Sequence, residues 1–354
     1  MRVGMSAIRK TSAMIFFMMS PVGTSAHHSV SSLYDYDNIL SLEGTVQKIY
    51  WINPHVRINI EIINENGQRE TWRLDGSALN LLQRLGVTRD MLKAGDRIVA
   101  KGPASRHGLK AMLASVVIHP DGNQLVMFPG SARRAGLIGP DTSVGYSENE
   151  ASVIPAPAAK GRPQDMFRVW TPDHKPTTDS GLGIPPWPLR ETALAAVAKY
   201  DPVADDPAAA CVQAGIPVIL DTPYPVEFLK RDDDIVMRTE EWDVERTIHM
   251  NSDIDDVAGQ QRSPWGYSVG RWENDELVVT TSNISYPYFD DLGTPQSDQL
   301  QIVEHYRFDA AEPRLYWEAV ATDPEVFTAP VVLKGDMIWV PGEQLKRFDC
   351  TIPE

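Results

Sequence analysis

Cysteine is nearly absent. Only Cys211 and Cys350 occur in 354 residues, which excludes a disulfide-dense scaffold, and neither has the nearby Cys or His spacing of a zinc knuckle or a redox pair. Positive charge is also scarce: 33 Lys and Arg stand against 48 Asp and Glu, for a formal net charge of -15. Without a Lys/Arg run or interleaved aromatics, the chain lacks the footprint of a protein that grips nucleic-acid phosphates or anionic lipid. No Gly-x-Gly-x-x-Gly turn, phosphate loop or His-Glu-x-x-His helix is present, so nucleotide and zincin chemistries have no motif. No organic cofactor is therefore expected.

Apolar runs are short, and the first is informative. Arg2, Arg9 and Lys10 precede an apolar stretch at 13–19, then Gly23-Thr24-Ser25-Ala26 offers small residues for cleavage, the plan of a secretory signal over residues 1–26. The alternative, an N-terminal anchor, needs roughly 20 apolar residues to span a bilayer. The expected location is the periplasm or the exterior, with peripheral or no membrane association. Export permits Cys211 and Cys350 to pair; the alternative is two buried free thiols.

What is abundant is β pattern. Trp265 to Thr281 reads as a strand, a polar turn at 273–276 and a returning β-branched strand. A lone hairpin is marginal in water, so its apolar face needs further strands. Segments 41–51, 55–63, 69–74, 97–101 and 110–118 read as strands, with a short helix around Leu79, Leu82 and Leu85 stopped by Gly86. Three strands, a helix and two strands is the order of a small OB-like barrel, assigned to 27–128. Residues 129–210 read as a Pro/Gly-rich linker with one helix at 189–200; its Trp170-Thr171-Pro172 stretch does not read as regular structure. From 211 to 354 about eight strands follow with mainly local connections, so a lipocalin-like antiparallel barrel is the first expectation and a curled sandwich the second.

Two arrangements of candidate chemistry follow from strand alternation. In one, Arg246 and Glu304 lie on apolar faces and enter the barrel, where they must pair or bind substrate. In the other, the polar faces turn inward and bring His249, His305 and Glu318 onto a cavity, where imidazoles suit proton transfer near neutrality. Asp253 follows the His249 strand and is a candidate base. Trp265, Tyr267, Tyr286 and Tyr288 are candidate walls for a ligand. Cleavage after Ala26 would expose His27, which with His28 and His55 could chelate copper.

Some of these residues also look familiar. Ala26-His27-His28-Ser29, Gly44-Thr45-Val46, Trp51-Ile52-Asn53-Pro54-His55 and Leu92-Lys93-Ala94-Gly95-Asp96 resemble an uncharacterised family of exported bacterial proteins, over roughly 26–125. The second half is similar to another uncharacterised bacterial family through Thr222 to Pro225, Arg246, Gly266 to Glu273, Val303-Glu304, Arg307-Phe308 and Asp323-Pro324. The resemblance implies export and domain limits and carries no catalytic assignment. The resulting expectation is an exported, cofactor-independent enzyme performing acid/base chemistry, of lyase, isomerase or hydrolase type, on a small, apolar or aromatic molecule in a barrel cavity. His249, Arg246, Asp253, Glu304 and His305 are its catalytic candidates. The alternatives are a small-ligand or copper-binding protein and a structural envelope protein. No nucleic-acid partner is expected, and oligomeric state is not legible.

Overall fold

The computed structural model describes residues 30–139, 166–173, 187–252, 257, 259–309 and 314–352. The signal-like stretch, His27, His28, Asp253 and the proline-rich stretches at 155–157 and 181–186 lie outside them. The described chain is mainly β and forms a five-strand barrel followed by a nine-strand barrel.

The first barrel uses β1 (Tyr34–Tyr50), β2 (Arg57–Ile63), β3 (Arg69–Asp75), β4 (Arg97–Ser105) and β5 (Ala111–Leu113). Its ring runs β1-β2-β3-β5-β4 and back to β1, with β3 and β5 parallel. The helix Leu79–Arg84 sits between β3 and β4, as in an OB-like barrel. Closure depends on the 17-residue β1: its first part pairs with β4 and its last part with β2, with register shifts that bend it. Val46, Ile58, Ile60, Leu74, Leu82, Ile98 and Met112 fill the inside. β6 (Val116–Ile118) and β7 (Gln124–Val126) extend the sheet beyond the ring.

The second barrel contains β8 (Val169–Pro172), β9 (Val226–Arg231), β10 (Asp234–Thr239), β11 (Glu245–His249), β12 (Tyr267–Glu273), β13 (Glu276–Ser282), β14 (Gln301–Asp309), β15 (Arg314–Thr322) and β16 (Val331–Ile338). The order β10-β11-β12-β13-β14-β15-β16-β8-β9 closes on itself, which sets the sandwich aside. Two features depart from a local meander. β11 and β12 are parallel, a pairing that a simple hairpin does not make. β8 comes from the segment expected to be an irregular linker: Trp170 pairs with Val226 and Thr171 with Ile338. Pro172 is tolerated because it ends the strand. Val218 to Leu220, which read as a short strand, lie in the 3-10 turn Val218–Asp221. Trp170, Phe228, Tyr306 and Trp317 meet within the core, with Phe228 edge-on to Tyr306 at 5.2 Å between centroids.

The barrels are joined by a buried polar network. Arg84, from the first barrel's helix, donates to Glu240 Oε1 at 2.6 Å and Oε2 at 2.5 Å and to Glu343 at 3.0 Å. Glu240 is fully buried and also accepts from Asn80 at 3.0 Å and the Lys346 amide at 2.7 Å. The Trp-x-Asn-Pro-His stretch serves the same joint. Asn53 is buried, its side chain meets Asn80, and its carbonyl accepts the Thr351 amide at 3.1 Å. Cys211 and Cys350 form a disulfide.

Candidate functional site

Alternation along β11 decides where the candidate residues go. Arg246 and Ile248 are buried inside, while Glu245, Thr247 and His249 face outward. The inward-polar arrangement is therefore not the one found: His305 is on the outer face and Glu318 is exposed. Arg246 and His249 do not meet.

Inside, Arg246 donates to Glu304 from Nη1 at 2.8 Å and from Nη2 at 2.6 Å, to Ser268 Oγ from Nε at 2.8 Å, and to Thr281 Oγ1 from Nη2 at 2.6 Å. Glu304 also accepts from Thr281 at 3.2 Å and from the Tyr306 hydroxyl at 2.7 Å. A carboxylate offers about four acceptor sites, and all four are taken. Burial alone would lower the Arg246 pKa; the charge of Glu304 outweighs it and keeps the guanidinium ionised. The fifth guanidinium N–H is directed at Met237 Sδ, 3.9 Å from Nη1, so all five donors of Arg246 have partners and none is left over for a substrate anion.

A Gly-x-Ser-x-Gly spacing is present at 266–270 around Ser268, against the expectation that the chain has no such elbow. Ser268 lies within β12, buried and hydrogen-bonded to Arg246, not on the exposed strand-to-helix turn that makes such a serine a nucleophile.

The Tyr306 hydroxyl is pushed well above the usual tyrosine pKa of 10.0, first by burial and then by Glu304. Tyr34, beside Asp75, and Tyr224 are raised in the same way. The unfolded chain ionises these phenols from about pH 10 while the folded one does not. Their contribution is whole below pH 10 and declines above it, by about 1.4 kcal/mol per pH unit for each tyrosine. Denaturant midpoints measured from pH 8 to 11 should fall accordingly, and Tyr306→Phe should flatten that slope; an unchanged slope in the variant would rule out this origin.

On the outer face, β10 and β11 build a different constellation. Ile235 pairs with Ile248, which brings Asp234 beside His249. His249 Nδ1 is 3.0 Å from Asp234 Oδ2, and Asp234 Oδ1 accepts the Met250 amide at 3.0 Å. Tyr267 stacks on the imidazole, 4.6 Å between centroids at 21°, and its hydroxyl reaches Ser252 at 3.4 Å. Both side chains of the His-Asp pair are 32% exposed. Because a carboxylate oxygen accepts, Nδ1 is the donor in this contact.

The remaining candidates are dispersed. His305 has Glu276 at 3.4 Å, but it lies three strand spacings from β11, on the order of 14 Å. Trp265 is anchored by its indole to the Ala214 carbonyl at 2.9 Å. Tyr286 and Tyr288 sit in the connection between β13 and β14. His55 is exposed, with Nδ1 3.0 Å from the Gly76 carbonyl. Among the described residues no group of three or more His, Cys, Asp or Glu is placed to hold a metal ion. None of the described helices is long and apolar enough to cross a membrane. Sequence reading missed Asp234, which looks like one more turn aspartate after Asp232 and Asp233. Its signal is register: one step beyond the Ile235–Ile248 pair lies His249.

A family of unknown function (DUF6152) matches residues 17–114, the span of the first barrel up to β5. No curated protein matches the chain.

Proposed function

We propose that this is an exported protein performing acid/base chemistry on a small organic molecule without an organic cofactor, with His249 as the proton-transfer group and Asp234 as its orienting carboxylate. The observation that carries the reading is the His249–Asp234 geometry. Asp234 is itself fixed by the Met250 amide, so the imidazole is held through Nδ1 while its side chain stays part exposed. Tyr267 restrains the ring's rotation and offers an apolar surface beside it. Such an imidazole takes a proton from substrate or water and returns it to a leaving group, a contribution worth about 100- to 10,000-fold. Asp234 thus takes the carboxylate role expected of Asp253 or Glu304. Export is supported by the signal-like N-terminus and by a disulfide spanning 139 residues.

The test needs no natural substrate. 5-Nitrobenzisoxazole reports proton abstraction, and p-nitrophenyl acetate reports hydrolysis. At pH 7.5 His249→Gln should lower the rate on at least one probe by about 100-fold, Asp234→Asn should shift its pH profile, and His305→Gln should match the wild type. Equal rates for wild type and His249→Gln on both probes would end this reading.

A further inference from the structure

The outer face of the first barrel carries a polar cluster that the His249 site does not use. Ile58, Ile60 and Leu74 point inward, so alternation puts Arg57 and Asn59 of β2 and Arg73 and Asp75 of β3 outside. Register lays the cluster out. Lys48 of β1 pairs with Asn59, which pairs with Arg73, and Tyr50 pairs with Arg57, which pairs with Asp75. Arg57 is therefore the diagonal neighbour of both Lys48 and Arg73, at roughly 7–8 Å, and Asn59 lies among the three.

One buried carboxylate holds both arginines. Asp75, 8% exposed, accepts Arg57 Nε on Oδ1 at 3.2 Å; its Oδ2 accepts Arg73 Nε at 2.9 Å and the buried Tyr34 hydroxyl at 2.5 Å. Tyr34 opens β1, where that strand runs beside β4, so the carboxylate is fixed from a third strand. Each arginine spends Nε on Asp75. Arg57 makes no other hydrogen bond or ion pair among the described residues, and the remaining contact of Arg73 is with Tyr34. The two side chains are 32% and 38% exposed, which leaves terminal guanidinium N–H groups for a ligand. Lys48 has no carboxylate partner among the described residues; its ammonium lies 4.4 Å from the centre of the Tyr50 ring. Glu61, the next outward residue of β2, is taken by Arg69 at 3.1 Å. Three cations thus face one carboxylate, a local charge of +2 in a chain whose net charge is -15.

We propose that Lys48, Arg57, Asn59 and Arg73 bind the phosphate group of a small soluble phosphate monoester. Such a group carries about two negative charges at neutral pH and three strong acceptor oxygens, which match the local charge and the three cations. Guanidinium forks suit phosphate geometry in particular. Asp75 holds both forks in place before a ligand arrives, so less side-chain freedom is lost on binding. A carboxylate, with one charge and two oxygens, satisfies only part of the set. The phosphates of a nucleic acid or an anionic bilayer repeat over a distance, and beyond this cluster they would meet a chain of net negative charge.

Calorimetric titration of the full chain at constant low ionic strength tests this with inorganic phosphate, phenyl phosphate, acetate, phosphatidic acid vesicles and a short oligothymidylate. At least one of the two small phosphates should bind, at least about tenfold tighter than acetate. Lys48→Gln and Arg57→Gln should each weaken that binding about tenfold, the size of one partly exposed charge-assisted contact. Arg69→Gln, on β3 but paired with Glu61, should bind like the wild type. Near-UV circular dichroism confirms that each variant is folded; Lys48 does not touch Asp75, so its variant decides the matter even where Arg57→Gln fails to fold. No binding of either small phosphate, acetate binding as tightly, binding confined to the vesicles or the oligothymidylate, or a folded Lys48→Gln or Arg57→Gln that binds like the wild type would each overturn the proposal. An equal loss in Arg69→Gln would do the same, since it would mark a diffuse field and not a site. The His249 site belongs to the other barrel, and none of these outcomes bears on it.

Discussion

Reducing the Cys211–Cys350 bond, or replacing both cysteines by serine, is expected to lower stability by about 5 kcal/mol, the loop-closure contribution of a crosslink closing well over a hundred residues. The 139-residue separation encloses β9 through β16, so the constraint acts on the unfolded ensemble of the second barrel almost alone. The bond also holds the C-terminal segment in the joint between the barrels. Phe348 packs against Trp242 and Tyr224, its amide donates to Asp243, and Glu343 and the Lys346 amide complete the Arg84–Glu240 network. Freed from Cys211, that segment can leave. The expected result is a lower guanidinium midpoint for the second barrel with the first barrel's transition little changed. Coincident transitions at the oxidised midpoint would show that the bond contributes nothing.

The outline of both barrels is readable in the sequence because alternation is a local property. Residues two apart share a face, so the apolar rows at Ile302, Tyr306 and Leu315, Trp317 declare their strands without knowledge of partners. Alternation also placed Arg246 and Glu304 on apolar faces, and they are found there. What it cannot declare is pairing over distance. β8 is a strand because Val226 and Ile338 lie beside it, 56 and 167 residues from Trp170 and Thr171 respectively; read alone, Trp-Thr-Pro does not read as regular structure. The parallel β11–β12 pairing is hidden for the same reason.

Polar partners were the least legible. Glu240 finds Arg84 across 156 residues, and Asp234 finds His249 only through the β10–β11 register. Tyr200, just past a helix, meets Tyr288 far along the sequence. Hydrogen-bonding groups in these places are selected by geometry at a fraction of an ångström. Hydrophobic patterning by contrast needs only the correct face, and survives in the sequence for that reason.

Glu304→Leu is expected to cost about 3–5 kcal/mol, because it strands the Arg246 guanidinium in the barrel without its counter-charge. Arg246→Met should cost a similar amount by stranding the carboxylate. The double variant Arg246→Met/Glu304→Leu should cost less than either single change, since apolar side chains of similar volume avoid the desolvation of both charges. Denaturant unfolding of the four proteins gives the coupling energy directly. Single variants within about 1 kcal/mol of wild type, or a double variant showing the full sum, would overturn the reading of a saturated internal pair. The same four proteins separate structure from chemistry. If Arg246 held a substrate oxygen, the double variant would lose turnover however stable it was. Because Arg246 and His249 lie on opposite faces of β11, the double variant should keep the His249-dependent rate wherever it remains folded.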